Sequence, residues 1–346
     1  MPRNILIIKL GAIGDVLRTT ALLHGLKEKY SGCRISWLTK ESARDVLLNN
    51  QLIDEIVILK DDIFPVLKKK GFDLVINLDE EKDVCEITTN LKAEVIGFYL
   101  SPEGKVLPTE TARKWYGMSA LGEYPMNNIL KKANRKTHQD LMCEILGINP
   151  SNKDEIFNLV QDEIKFGEDF AKRNSIVKGR VIVGVNTGAG GRWTYKKWPI
   201  EKTAELIDLM SSKLDAQILL LGGPEEEERN SKIKSMSKAR IIDGGCKNSI
   251  RQFASLINIC DLVVSSDSLA MHIAIALKKH VVVFFGPTSM PEIEIYGRGK
   301  KIEAPIECVC CYLTKCRKSP TCMDLLSVDM MFNAVKDVVC NIDKHK

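Results

Sequence analysis

The stretch Asp261 to Thr288, DLVVSSDSLAMHIAIALKKHVVVFFGPT, gathers groups suited to hold an anion. Ser265-Ser266-Asp267-Ser268 places small oxygen-bearing residues between the apolar run Leu262-Val263-Val264 and a helical repeat from Leu269 to Leu277. A helix starting there gathers unpaired N–H groups and roughly half a positive charge, and phosphates bind at such ends. The same residues serve equally well as ordinary helix caps. His272 falls on the helix face of Ser268, either as a ligand contact or as a satisfied helix histidine. A second anion-suited stretch runs from Asn186 through Thr187, Gly188, Ala189, Gly190 and Gly191 to Lys197. Its glycines let backbone N–H groups approach a ligand, and Arg192, Lys196 or Lys197 can neutralise the charge. No Gly-Lys-Ser or Gly-Lys-Thr closes it, so it is not a Walker loop. Glu225, in LGGPEEEE, either takes ribose hydroxyls at a strand end or is simply an acid favoured in a first helical turn. Asp15 ends the turn Gly11-Ala12-Ile13-Gly14 at the start of another helical pattern, and GAIGD is a poor match to G-x-G-x-x-G.

The elements that position these residues alternate. Before the linker Gly147 to Lys153, strands are predicted at Ile5–Ile8, Arg34–Leu38, Glu55–Leu59, Asp73–Leu78 and Ala93–Phe98, with helices between them, one at Ser42–Leu48. A second series follows: Arg180–Val185, Gln217–Leu221, Arg240–Asp243, Leu262–Val264 and Val281–Phe285. Such alternation gives doubly wound parallel sheets that bind ligands at the carboxyl ends of their strands. From Ser101 to Asn134 the pattern fails among prolines and glycines, and a long loop is predicted. Its Arg113, Lys114 and Trp115 suit a sugar or phosphate contact, although a plain surface loop fits as well.

A chain of 346 residues fits two domains of about 150 each. No apolar run approaches the ~18 residues of a membrane span, and Met1-Pro2-Arg3-Asn4 leads into a strand without a secretory h-region. A cytoplasmic protein is expected, and one that meets anionic lipid heads at a membrane surface fits as well. The net charge of +5 comes from scattered pairs, too sparse for a nucleic-acid stripe. Of 11 cysteines, Cys308, Cys311, Cys316 and Cys322 are spaced like a small structural Zn or Fe knuckle. Cys310 is a fifth candidate, and a set of free thiols is the alternative.

GAIGDVLRT, NTGAGGRWTYKKWP, LGGPEEEE and SSDSLAMHIAIALKKHVVVFFGPT occur in the order found in glycosyltransferase family 9, which the chain resembles over nearly its whole length. These are the ADP-heptose:lipopolysaccharide heptosyltransferases and their relatives. The resemblance implies an α/β GT-B fold, two Rossmann-like domains facing across a cleft, with an acceptor domain at 1–152 and a nucleotide-sugar donor domain at 153–346. It implies sugar transfer with inversion to a lipopolysaccharide-type acceptor at the cytoplasmic face of the inner membrane, no catalytic cofactor, and Asp15 as general base. Thr187 and Gly188 match the donor-phosphate loop, Lys196 the lysine facing the diphosphate, and Glu225 most closely the ribose carboxylate. Asp267, Ser268 and His272 match the family's Asp-(Ser or Thr)-Gly-x-x-His signature, in which Leu269 replaces the usual glycine. Acceptor contacts are expected at Gly14, Arg113, Lys114 and Trp115. No Asp-x-Asp pair on a strand end is seen to hold a divalent ion, which fits metal-independent transfer. A sugar-nucleotide epimerase would instead turn over donor without acceptor, and a nucleotide-sugar sensor would bind it without transfer.

Overall fold

In the first half, the apolar runs form β1 (Asn4–Ile8), β2 (Arg34–Thr39), β3 (Glu55–Ile58), β4 (Leu74–Asn77), β5 (Glu94–Leu100) and β6 (Val106–Pro108). The structure, a computed structural model, describes residues 3–343. The sheet order is β3-β2-β1-β4-β5-β6, parallel except for β6, which runs antiparallel on β5. β1 and β4 are central and buried on both faces, as their unbroken Ile, Leu and Val content requires. Gly97 on β5 has φ +107°, and a Cβ there would sit 1.9 Å from the Asn77 carbonyl oxygen, so only glycine fits.

The second half forms β7 (Ile182–Asn186), β8 (Gln217–Leu221), β9 (Ile241–Asp243), β10 (Leu262–Ser266), β11 (His280–Phe285) and β12 (Gly299–Glu303). They are all parallel, in the order β12-β11-β10-β7-β8-β9. Val183, Val185, Leu220, Val264 and Val282 pack with Met331, Val335 and Val338 of the closing helix Val328–Asp343. Each such side chain contributes about 1.5–3 kcal/mol when fully buried. Counted within each half, both sheets follow the order 3-2-1-4-5-6, reversing between first and fourth strands. Among the described residues, no helix is long and apolar enough to cross a membrane.

Three local predictions change. Ser42–Leu48 is not an α-helix but the 3-10 segment Glu41–Val46. The segment predicted as a long loop carries β6 and the helices Arg113–Met118 and Met126–Ala133. Of its glycines, Gly122 serves close packing: a Cβ there would lie 2.4 Å from the Gly117 carbonyl oxygen. The chain divides into compact units Met1–Asn158 and Leu159–Lys346. The predicted linker therefore lies with the first unit, where the Ser151 hydroxyl donates to Glu28 (2.6 Å) and Pro150 packs on Gly25.

Candidate functional site

The reversal point of the second sheet lies between β7 and β10, where the loops following the two strands diverge. Asn186, closing β7, donates its amide to the Gly188 carbonyl (2.9 Å) and to the hydroxyls of Ser265 (3.1 Å) and Ser268 (3.3 Å). Ser268 is the N-cap of the helix Leu269–Ala276, yet its side chain makes no cap hydrogen bond. Its hydroxyl instead meets that of Ser265 at 2.9 Å. The capping alternative is thus corrected for Ser268, and the first turn keeps its N–H groups without a side-chain acceptor from it. Leu269 opens this helix, and His272 is buried on it.

Lys196 is 8% exposed, and its ammonium donates to the Asp267 carboxylate (2.9 Å) and carbonyl (3.1 Å). The ammonium also stands 5.0 Å over the Trp193 ring. Burial alone would raise the Asp267 carboxyl, but the charges of Lys196 and His272 and hydrogen bonds from Lys196 and Thr288 bring it down to about 2. Asp267 is therefore anionic at any working pH.

Beside it, the glycine loop rests on a buried acid. A Cβ on Gly188 would lie 2.7 Å from the Glu226 carboxylate, which also accepts from Lys197 (2.7 Å) and from the Gly223 N–H (3.1 Å). The Thr187 hydroxyl donates to Asn230. Glu225 is exposed, with its carboxylate against Gly191. The Arg192 side chain lies outside the described residues. Sequence reasoning gave no individual role to Asn186, Glu226, Asn230 or Thr288. Only Glu226 had a readable signal, as the acid three residues after the N-cap Gly223.

The first sheet reverses between β1 and β4. Lys9, just after β1, pairs with Asp79, just after β4, at 2.6 Å. Asp79 also accepts the Leu10 N–H and so anchors the turn through Gly14. Asp15 lies in the first turn of the helix Ile13–Thr19 and pairs with Arg18 at 2.9 Å. Glu80 is a further acid that the sequence did not single out; burial lifts its carboxyl, against a Ser119 hydrogen bond and the charges of Lys9 and Lys131. Arg113, Lys114 and Trp115 stand on the separate helix Arg113–Met118. Arg113 pairs with Glu110 at 2.8 Å, Lys114 is exposed, and Trp115 sits edge-on to His138 at 5.6 Å.

Among the described residues, no group of three or more His, Cys, Asp or Glu side chains is placed to hold a metal ion. The expected set of Cys308, Cys311, Cys316 and Cys322 is not among such groups. Cys322 turns onto Gly286, where a Cβ would meet its sulfur at 2.5 Å, and the Cys316 thiol faces the Lys318 carbonyl. Burial lifts the Cys322 thiol to about 11, with nearby Cys311, Cys316 and Cys308 adding to the rise.

Two Rossmann-type sheets in one chain, each reversing at a lysine–aspartate bridge, define a GT-B protein with an anion-suited site in its second unit. The chain belongs to glycosyltransferase family 9 (heptosyltransferase), whose family model matches residues 130–321. It is similar to lipooligosaccharide heptosyltransferase 2 of Campylobacter jejuni, 26% identical over 192 residues, which are 52% of this chain and 56% of that protein. It is also similar to lipooligosaccharide heptosyltransferase 2 of Haemophilus influenzae, 23% identical over 303 residues, covering 83% of this chain and 84% of that one. Among solved structures, Escherichia coli ADP-heptose LPS heptosyltransferase II shares the fold, with a TM-score of 0.69 at 18% identity, covering 98% of this chain and 99% of that one.

Proposed function

We propose that this chain is an inverting heptosyltransferase that moves a heptose from ADP-heptose, or a closely related nucleotide diphosphate sugar, to a lipopolysaccharide-type acceptor. The observation that carries the reading is Lys196, held by Asp267 beside the start of a helix whose N-cap serine leaves its N–H groups uncapped. As the bond from the anomeric carbon to the diphosphate breaks, negative charge grows on the leaving oxygen. Lys196, the helix N-terminus and the Thr187-Gly188 backbone stabilise that charge without a divalent ion. Asp267, anionic and fixed, accepts hydrogen bonds from sugar hydroxyls, with His272 next to it. Glu225 takes the ribose hydroxyls.

The acceptor hydroxyl gives its proton to Asp15 while its oxygen bonds to the anomeric carbon from the face opposite the diphosphate, which inverts that centre. Arg18 orients the Asp15 carboxylate. Gly14, Arg113, Lys114 and Trp115 contact the acceptor in this reading, with Arg113 exchanging Glu110 for the ligand. Asp15→Asn tests it. Transfer should fall by about 10²–10⁴-fold, the usual worth of a general base, while ADP binds with near-wild-type affinity. Full transfer by that variant would remove Asp15 from the mechanism.

A further inference from the structure

The helix Met126–Ala133 in the first unit is amphipathic in the inverted sense. Met126, Ile129, Leu130 and Ala133 follow at i, i+3, i+4 and i+7 and form one stripe. A stripe of this kind ordinarily faces a core. Here none of the helix is buried, and the stripe points outward: Met126 is 52%, Ile129 55% and Leu130 41% exposed. The polar side turns toward the protein, with the Asn127 amide donating to the Ser119 carbonyl (3.2 Å) and Lys131 lying near Glu80. The preceding turn extends the apolar surface through Leu121 and Tyr124, which is 81% exposed. A contiguous apolar patch on an otherwise polar surface marks an interaction site.

The surrounding charge selects the occupant. Between Arg113 and Lys136 stand Arg113, Lys114, Lys131, Lys132, Arg135 and Lys136, against one acid, Glu123. That segment alone carries a net +5, as much as the entire chain. Arg113 and Lys136 pair with acids outside the segment, Glu110 and Glu144, and Arg135 donates to the carbonyls of Lys132 and Asn134. Lys114 and Lys132 are exposed at the margins. A second copy of the chain would bring like charges together. An anionic bilayer supplies both complements, acyl boundary for the stripe and headgroup charge for the lysines, whose stems can follow the apolar surface.

We propose that Leu121–Ala133 is a docking surface for an anionic lipid bilayer, lying in the interface plane with Tyr124, Met126 and Ile129 inserted. The inference stands apart from the donor-site reading. It is tested on the full chain by co-sedimentation with phosphatidylglycerol-containing vesicles and with pure phosphatidylcholine vesicles, in the absence of any sugar nucleotide. Wild type should bind the anionic vesicles at least tenfold more tightly, and added salt should weaken that binding. Met126→Glu with Ile129→Glu should reduce it at least tenfold, and Lys132→Glu should do so less completely. All these side chains are exposed, so circular dichroism and thermal unfolding should be unchanged. Transfer to a delipidated, soluble acceptor fragment should also be unchanged, which separates this surface from the donor chemistry. Absence of vesicle binding, equal binding to both vesicle types, or full binding by the Met126/Ile129 variant would overturn the proposal. So would a dimer in light scattering that those substitutions split, because the patch would then be a contact between copies.

Discussion

Breaking the Lys196–Asp267 pair from one side gives a response that can be worked out in advance. Lys196→Met keeps most of the side-chain volume and removes the charge. The side chains are 10% and 17% exposed, so Asp267 would be left largely out of water without its main partner. Its carboxyl stands at about 2 against an ordinary 3.8. At about 1.4 kcal/mol per decade, that gap is on the order of 2–3 kcal/mol of stability. This stabilisation is complete above the unfolded value of 3.8 and is lost as pH falls through about 2. In the variant, burial persists while the largest opposing pull is gone, so the carboxyl moves upward, with His272 and Thr288 still acting on it.

The expected loss near pH 7 is about 2–3 kcal/mol, below the usual range for a fully buried broken pair because some solvent still reaches both ends. For a unit of this size that lowers Tm by roughly 5–10 °C. The pH dependence distinguishes this cause from simple loss of packing. In the variant the folded state takes up a proton at Asp267 more readily than wild type does. Lowering the pH from 7 toward 3 then relieves the unpaired charge, and the gap to wild type narrows. Adding Asp267→Asn to Lys196→Met should likewise recover part of the loss. Thermal unfolding followed by near-ultraviolet circular dichroism at pH 7 and pH 3 reads both effects, and titration calorimetry with ADP should show affinity down tenfold or more. A gap that stays constant with pH, together with strictly additive losses in the double variant, would refute the electrostatic account. Unchanged ADP affinity would leave the pair structural and remove Lys196 from donor binding.

Gly188→Ala should push the Glu226 carboxylate off Lys197 and the Gly223 N–H, since its Cβ would stand 2.7 Å from that group. ADP affinity measured by calorimetry should fall severalfold, and Glu226→Gln should act in the same direction more weakly. Transfer is expected to continue at an unchanged rate in excess EDTA. A loss restored by Mg²⁺ would show that Lys196 and the helix N-terminus are not the source of positive charge.

Strands buried on both faces were legible because they read as unbroken apolar runs, as β1, β8 and β11 do. β12 was not: Gly299-Lys300-Lys301-Ile302-Glu303 is an edge strand, and its charged residues resemble a loop. The helices Arg113–Met118 and Met126–Ala133 were hidden by glycines and prolines that read as breakers, of which Gly122 serves close packing. At the site, the cationic glycine loop and the serine-rich helix start at Ser268 could be picked out because their chemistry suits an anion, and the family resemblance singled out Lys196 and Asp267. Their supports could not. Whether Asn186 or Thr288 is buried, and against what, depends on which loops the sheet order brings together. The serine cluster illustrates the same limit. Its composition fits a cap, and the Ser265 hydroxyl and the Asn186 amide explain why Ser268 turns away from its own helix.

The two reversal points share a device and differ in one respect that bears on their chemistry. In each, a lysine after the unit's first strand meets an aspartate after its fourth, Lys9 with Asp79 and Lys196 with Asp267. The loops at a reversal leave toward opposite faces of the sheet, so a buried ion pair is a direct way to hold them together. The helix that starts beside the first bridge carries an acid in its first turn, Asp15. That carboxylate offsets the positive end of its own helix. The helix beside the second bridge carries no acid in its first turn and no side-chain cap. With Asp267 already balanced by Lys196, its N-terminus retains its positive end. One construction thus leaves a carboxylate at the first reversal and a positive pole at the second, which are the two charges that glycosyl transfer to a hydroxyl from a nucleotide diphosphate requires.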